Sequence, residues 1–223
     1  MRVLQRAVGF FCVGLSVLIS APAVAHPHIY IDTGLQMQFD DEGRLAAIRV
    51  VWVYDAFYSM LLLEEMGLDP DFTGTVTEEE RATLAGFDMD WIEGYEGDLY
   101  LLQGERALAL SGPMDWTADV QDGRIISTHI RALQERVEPG PEPVILQAYD
   151  PTYYTAYTIA IDPVIEGRTD CDARIFEPDF SAASEILESA LAEMLAQPGY
   201  DELEDFPAVG AAFADEIRLT CGA

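Results

Sequence analysis

The sequence predicts an α+β protein: a mostly antiparallel β-sheet built of hairpins, an inserted EF-hand-like helical segment, and a C-terminal helix. Three observations predict this class. Residues 28–39 alternate almost perfectly between apolar and polar. Further apolar runs come in pairs, each pair folded about a turn signal. From Ser181 to Gln197 the apolar period changes to that of a helix.

Along the first run, Ile29, Ile31, Leu35, Met37 and Phe39 share one face, and His28, Tyr30, Asp32, Gln36 and Gln38 the other. That pattern is a half-buried strand. Asp40-Asp41-Glu42-Gly43 is a turn, and Arg44 to Tyr54 returns as a more apolar strand. If Phe39 faces Arg44 across the turn, His28 faces Asp55; a bulge would shift this pairing. Helical patterns follow at Asp55 to Met66 and from Thr77 to about Phe87. Three hairpins are then expected: Asp98–Leu110, Trp116–Val137 about Gln121-Asp122-Gly123-Arg124, and Val144–Ile161 about Asp150-Pro151-Thr152. In the last helix Ala183, Ile186, Leu187, Ala190, Leu191, Met194 and Leu195 form a stripe at helical spacing, read as core. An irregular tail around Glu204–Ala214 leads to Cys221.

Residues 1–25 read as a cleaved secretory signal: Arg2 and Arg6, an apolar stretch from Ala7 to Ile19, and the small-x-small site Ala23-Val24-Ala25. The expected mature chain, 26–223, is one periplasmic domain with its helical insert at about 55–96 and its disulfide-tied tail at about 171–223. No later stretch approaches the ~18 apolar residues of a membrane span, so no membrane insertion is expected after cleavage. Cys12 leaves with the signal, and Cys171 and Cys221 form a pair expected to be oxidised in that compartment.

The chain has 12 arginines and no lysine against 40 acidic residues, a net charge of −28. Such a surface repels nucleic acid and anionic headgroups and concentrates cations. No phosphate-binding glycine loop, G-x-S-x-G elbow or reactive thiol is present, and no residue is assigned a catalytic role.

Two segments carry chemistry. At the expected mature terminus, His26 offers an α-amine beside its imidazole, and His28 projects to the same side ~7 Å along an extended chain. Pro27 lacks an amide N–H and so rules out metal chelation by successive deprotonated amides. Asp55 is the expected carboxylate, as ligand or as the acceptor that fixes a histidine tautomer. His129, on a strand from Ile125 to Arg131, is the remaining imidazole and a weaker candidate. The second segment, DPDFTGTVTEEE, fits the calcium-loop template. Asp69, Asp71 and Thr73 take positions 1, 3 and 5, Gly74 position 6, Thr75 position 7 through its carbonyl, Thr77 position 9 and Glu80 position 12. The same residues also read as a turn in which Thr77 and Glu80 form a capping box.

The start HPHIYID, the segment WVYDAFY at 52–58, the EF-hand-like insert and YDPTYY at 149–154 together resemble a family of bacterial exported proteins. That family is described as the periplasmic component of an ABC-type transport system and is associated with nickel/cobalt-type permeases. The resemblance covers roughly residues 26–175. It implies a non-enzymatic protein that binds a divalent transition metal (nickel, cobalt or zinc) and passes it to an inner-membrane metal permease or ABC-type transporter. Two alternatives remain open on the residues: a copper-holding histidine brace with redox activity, needing His28 or His129 as second imidazole, and a non-catalytic interaction module.

Overall fold

The computed structural model describes residues 27–197, 199 and 206–222. The expected signal segment, with Cys12, and His26 lie outside the described residues. Two sheets share one hydrophobic core. The first runs β5 (Met114–Gln121), β6 (Arg124–Val137), β2 (Leu45–Tyr54), β1 (Ile29–Phe39), β8 (Thr155–Thr158), with β9 (Val164–Glu166) also on β1. The second runs β10 (Cys171–Phe176), β11 (Glu216–Cys221), β7 (Val144–Ala148), β3 (Leu99–Gln103), β4 (Arg106–Ala107). Ile31, Leu35, Met37, Val50 and Trp52 of the first sheet pack in the same core as Leu101, Leu146, Ile217 and Leu219 of the second. The inward face of β1 is the odd-numbered face that alternation predicts. All pairings are antiparallel except those of β1 with β8 and β9.

The helices begin where local chemistry satisfies their orphan amides. Asp55 caps α1 (Ala56–Met66), which Gly67 ends in the left-handed region. Thr77 and Glu80 form a reciprocal capping box on α2 (Glu78–Leu84). Asp179 caps α3 (Phe180–Leu195).

Three expectations are corrected. First, the β1–β2 turn closes on Asp40 and Arg44, not on Phe39 and Arg44. The Asp40 side chain accepts from the amides of Glu42 and Arg44, and Gly43 supplies a positive φ. A bulge at Gln38/Phe39 adds a further step, so Ile31 pairs with Tyr54. Second, β7 and β8 do not form a hairpin. β7 lies between β3 and β11, whereas β8 runs parallel to β1 in the other sheet. The Asp150 turn carries the chain between sheets, its carboxylate accepting from Thr152 N, Thr152 Oγ1 and Thr155 N. Third, the stripe of α3 does not enter the main core. Ala183 and Leu187 join Val209 and Phe213 in a separate small cluster, while Ile186 and Leu195 are exposed. In the described part of the tail a 3-10 turn at Gly210–Phe213 leads into β11, whose Cys221 is disulfide-bonded to Cys171 as expected.

Candidate functional site

His28 stands at the start of β1, exposed, with its amide bonded to Tyr154 O at 2.8 Å. Its ring lies 4.7 Å from that of Tyr154. The turn holding Tyr154 is itself braced from the tail. Gly210 N donates to Pro151 O, Tyr153 stacks on Phe213 at 3.9 Å, and a Cβ at Gly210 would collide with Asp150 O. The disulfide-tied C-terminal segment therefore fixes the place where β1 begins.

Asp55 faces Tyr30, not His28. Its amide donates to Tyr30 O at 2.9 Å, and its carboxylate accepts from Tyr30 N at 3.0 Å and Tyr58 N at 2.9 Å. It acts as helix cap and strand clamp together, two residues further along β1 than the ligand role requires. Among the described residues no three His, Cys, Asp or Glu side chains converge as a metal site.

His129 is elsewhere. The ladder Leu35–Val50–His129 sets it level with Leu35, seven residues or about 23 Å along the strand direction from His28 and two strands across. It is fully buried, 4.7 Å from the Trp52 ring and 5.5 Å from Trp91, and neither ring nitrogen has a hydrogen-bond partner among the described residues. Burial, reinforced by the Arg131 charge, pushes its pKa down to about 3. The structure does not bring His129 and His28 to one ion.

The loop between α1 and α2 places Asp69, Asp71, Thr73, Thr75, Thr77 and Glu80 around one concavity. Its end carboxylates are engaged within the loop. Asp69 accepts from Thr73 N, Thr73 Oγ1 and Gly74 N; Glu80 accepts from Asp69 N, Thr77 N and Thr77 Oγ1. Burial raises the Asp69 pKa, but these bonds outweigh it and leave it below the ordinary value; the bonds from Thr77 lower that of Glu80.

Sequence reasoning missed a buried polar cluster contributed by residues 87–98. Tyr54 OH donates to Asp88, and Tyr95 OH and Tyr157 OH both donate to Asp98. Arg131, almost fully buried, lies over Trp91 and donates to the carbonyls of Ser111 and Glu96. Burial raises the Asp98 carboxyl to about 6 against the lowering by the two tyrosine hydroxyls. The segment lacks any period; its density of aromatic and acidic residues is the one available signal.

The family described as "Protein of unknown function (DUF1007)" matches residues 11–221. An uncharacterized protein of Haemophilus influenzae is 24% identical over an alignment of 223 positions that covers 93% of this chain and 96% of the relative.

Proposed function

We propose that this chain, which belongs to the DUF1007 family, is an exported, non-enzymatic protein that captures a divalent transition metal and hands it to a membrane transporter. One observation carries the proposal: His28 is exposed at a braced strand start, its ring 4.7 Å from that of Tyr154. On this reading cleavage after Ala25 makes His26 the first residue, and its amine and imidazole are the further donors. Nickel, cobalt and zinc all suit imidazole and amine donors. The metal is cargo, and the acidic surface raises its local concentration. A redox copper brace has no support from His129, which the fold keeps in the core.

The test is the chain recovered from the exported fraction, with its terminus sequenced and its metal measured by mass spectrometry. The proposal expects His26 as first residue and stoichiometric uptake of nickel, cobalt or zinc. A chain retaining residues 1–25, or one that takes up none of these metals at neutral pH, overturns it.

A further inference from the structure

Helix α1 is apolar on both sides. Inward, Ser59 and Leu63 are buried, and Tyr58, Leu62 and Met66 pack on the core. Outward, Phe57 is 66% exposed, Met60 42% and Leu61 43%, at the i, i+3, i+4 spacing of one helix face. On this outward side only Glu64 and Glu65 are charged, and an exposed apolar patch on a helix is the form a contact surface takes. The outward face runs into a groove of about 310 Å3 between α1 and the following loop, lined by Met60, Leu63, Leu68 and Phe72, with Gly123 at its far side. Phe72, 74% exposed at a φ of +51°, stands at its edge.

The rim is acidic. Glu64 lines the groove; Asp71, between the lining residues Pro70 and Phe72, and Asp122, beside Gly123, are exposed. The nearby cations are committed elsewhere. Arg81 pairs with Glu78 and Asp119, and Arg124 with Asp32 and the carbonyls of Val53 and Tyr54. With a net charge of −28 and no lysine, a second copy of this chain or an anionic lipid surface is repelled. An apolar floor inside an acidic rim selects a ligand of opposite sign with one apolar face.

We infer that this groove docks a cationic amphipathic helix of a partner protein. Its apolar side chains at i, i+3 and i+4 fill the floor between Met60 and Phe72, and flanking lysines or arginines meet Glu64, Asp71 and Asp122. The inference stands apart from the metal reading, so either can fail without the other.

The probe is a labelled Leu/Lys peptide with segregated apolar and basic faces, titrated by fluorescence anisotropy against the full mature chain. A scrambled peptide of the same composition and a Leu/Glu counterpart are run beside it. Saturable binding is expected for the segregated Leu/Lys peptide alone. Met60→Ser and Phe72→Ser should each weaken it about tenfold. Glu64→Lys should weaken it too, and Ile186→Ser, at an exposed apolar position on α3, should leave it unchanged. Circular dichroism melts check that each variant folds. Equal affinity for the scrambled peptide, or wild-type affinity in both serine variants, reduces the effect to general charge attraction and overturns the inference. Sedimentation showing a dimer of the wild type that Met60→Ser abolishes also overturns it, by giving the face to a second copy.

Discussion

Asp55 and Tyr30 are bonded twice across the end of the first hairpin, Asp55 N to Tyr30 O at 2.9 Å and Tyr30 N to the Asp55 carboxylate at 3.0 Å. The same carboxylate caps α1 through Tyr58 N, so one residue sets both the end of β1–β2 pairing and the start of the helix. Asp55→Ala removes cap and clamp together and should cost about 1–2 kcal/mol, read as a lower urea midpoint. Because Asp55 positions Tyr30 and does not face His28, Asp55→Asn should keep most of its metal affinity. A loss as large as that of a histidine variant would make Asp55 a ligand.

The loop before α2 is closed by its own hydrogen bonds, so Asp69→Ala should be destabilising even in chelator-treated buffer, by about 1–2 kcal/mol. Both Asp69 and Glu80 have lowered folded-state pKa values. Their contribution is therefore complete above the ordinary carboxylate range and is lost as pH falls through the folded values. The gap between wild type and variant should narrow on acidification. If millimolar calcium raises the melting temperature of wild type and not of the variant, the loop is a calcium site and not only a capped turn.

Much of the strand content was legible because alternation reports burial directly. The inward face of β1 follows from it, the β5–β6 hairpin from its Asp122-Gly123 turn signal, and the helix at Ser181–Gln197 from the change of period. The partners of β7 and β8 did not. Val144–Ala148 and Thr155–Thr158 read as two strands about a proline turn, and no local signal says that the turn crosses between sheets. Register failed at Asp40, whose side chain shortens the turn, and at the Gln38 bulge; two small steps moved Asp55 from His28 to Tyr30. At the site, His28 and its strand were visible in the sequence, whereas the bracing of Pro151 and Tyr153 by Gly210 and Phe213 spans residues about 60 apart. Asp88 and Asp98 were invisible because their burial depends on tyrosines from distant strands.

Asp98 binds its proton more tightly folded, at about 6, than an unfolded aspartate near 4. Between those values the folded state holds the extra proton, so stability from this group is present at low pH and lost as pH rises through about 6. Asp98→Asn escapes the loss while still accepting from Tyr95 and Tyr157. Its stability relative to wild type should rise by roughly 1–3 kcal/mol between pH 4 and 7. Parallel curves of unfolding free energy against pH for the two proteins would contradict this.

His129 shows the opposite sign. Its folded pKa of about 3 lies below the unfolded value near 6.5, so the unfolded chain takes up the proton first on acidification. Stability is complete above about 6.5 and declines toward pH 3. His129→Leu should therefore gain on wild type more at pH 5 than at pH 8 in thermal melts, with metal affinity unchanged. A drop in nickel, zinc or copper affinity in this variant would place His129 in the metal site after all.

The central claim is that the amine and imidazole of His26, with His28, bind a transition metal. It is tested most directly by calorimetric titration of nickel or zinc into two forms of the mature chain, one starting at His26 and one carrying a single extra alanine before it. The extension removes the amine–imidazole chelate and leaves the fold intact, so affinity should fall at least tenfold, and His28→Ala in the unextended chain should weaken binding as well. Affinity of the unextended chain should also decline on acidification, because imidazole and amine donors bind a metal only when deprotonated. Equal binding by the extended and unextended chains, with His28→Ala silent, contradicts the account.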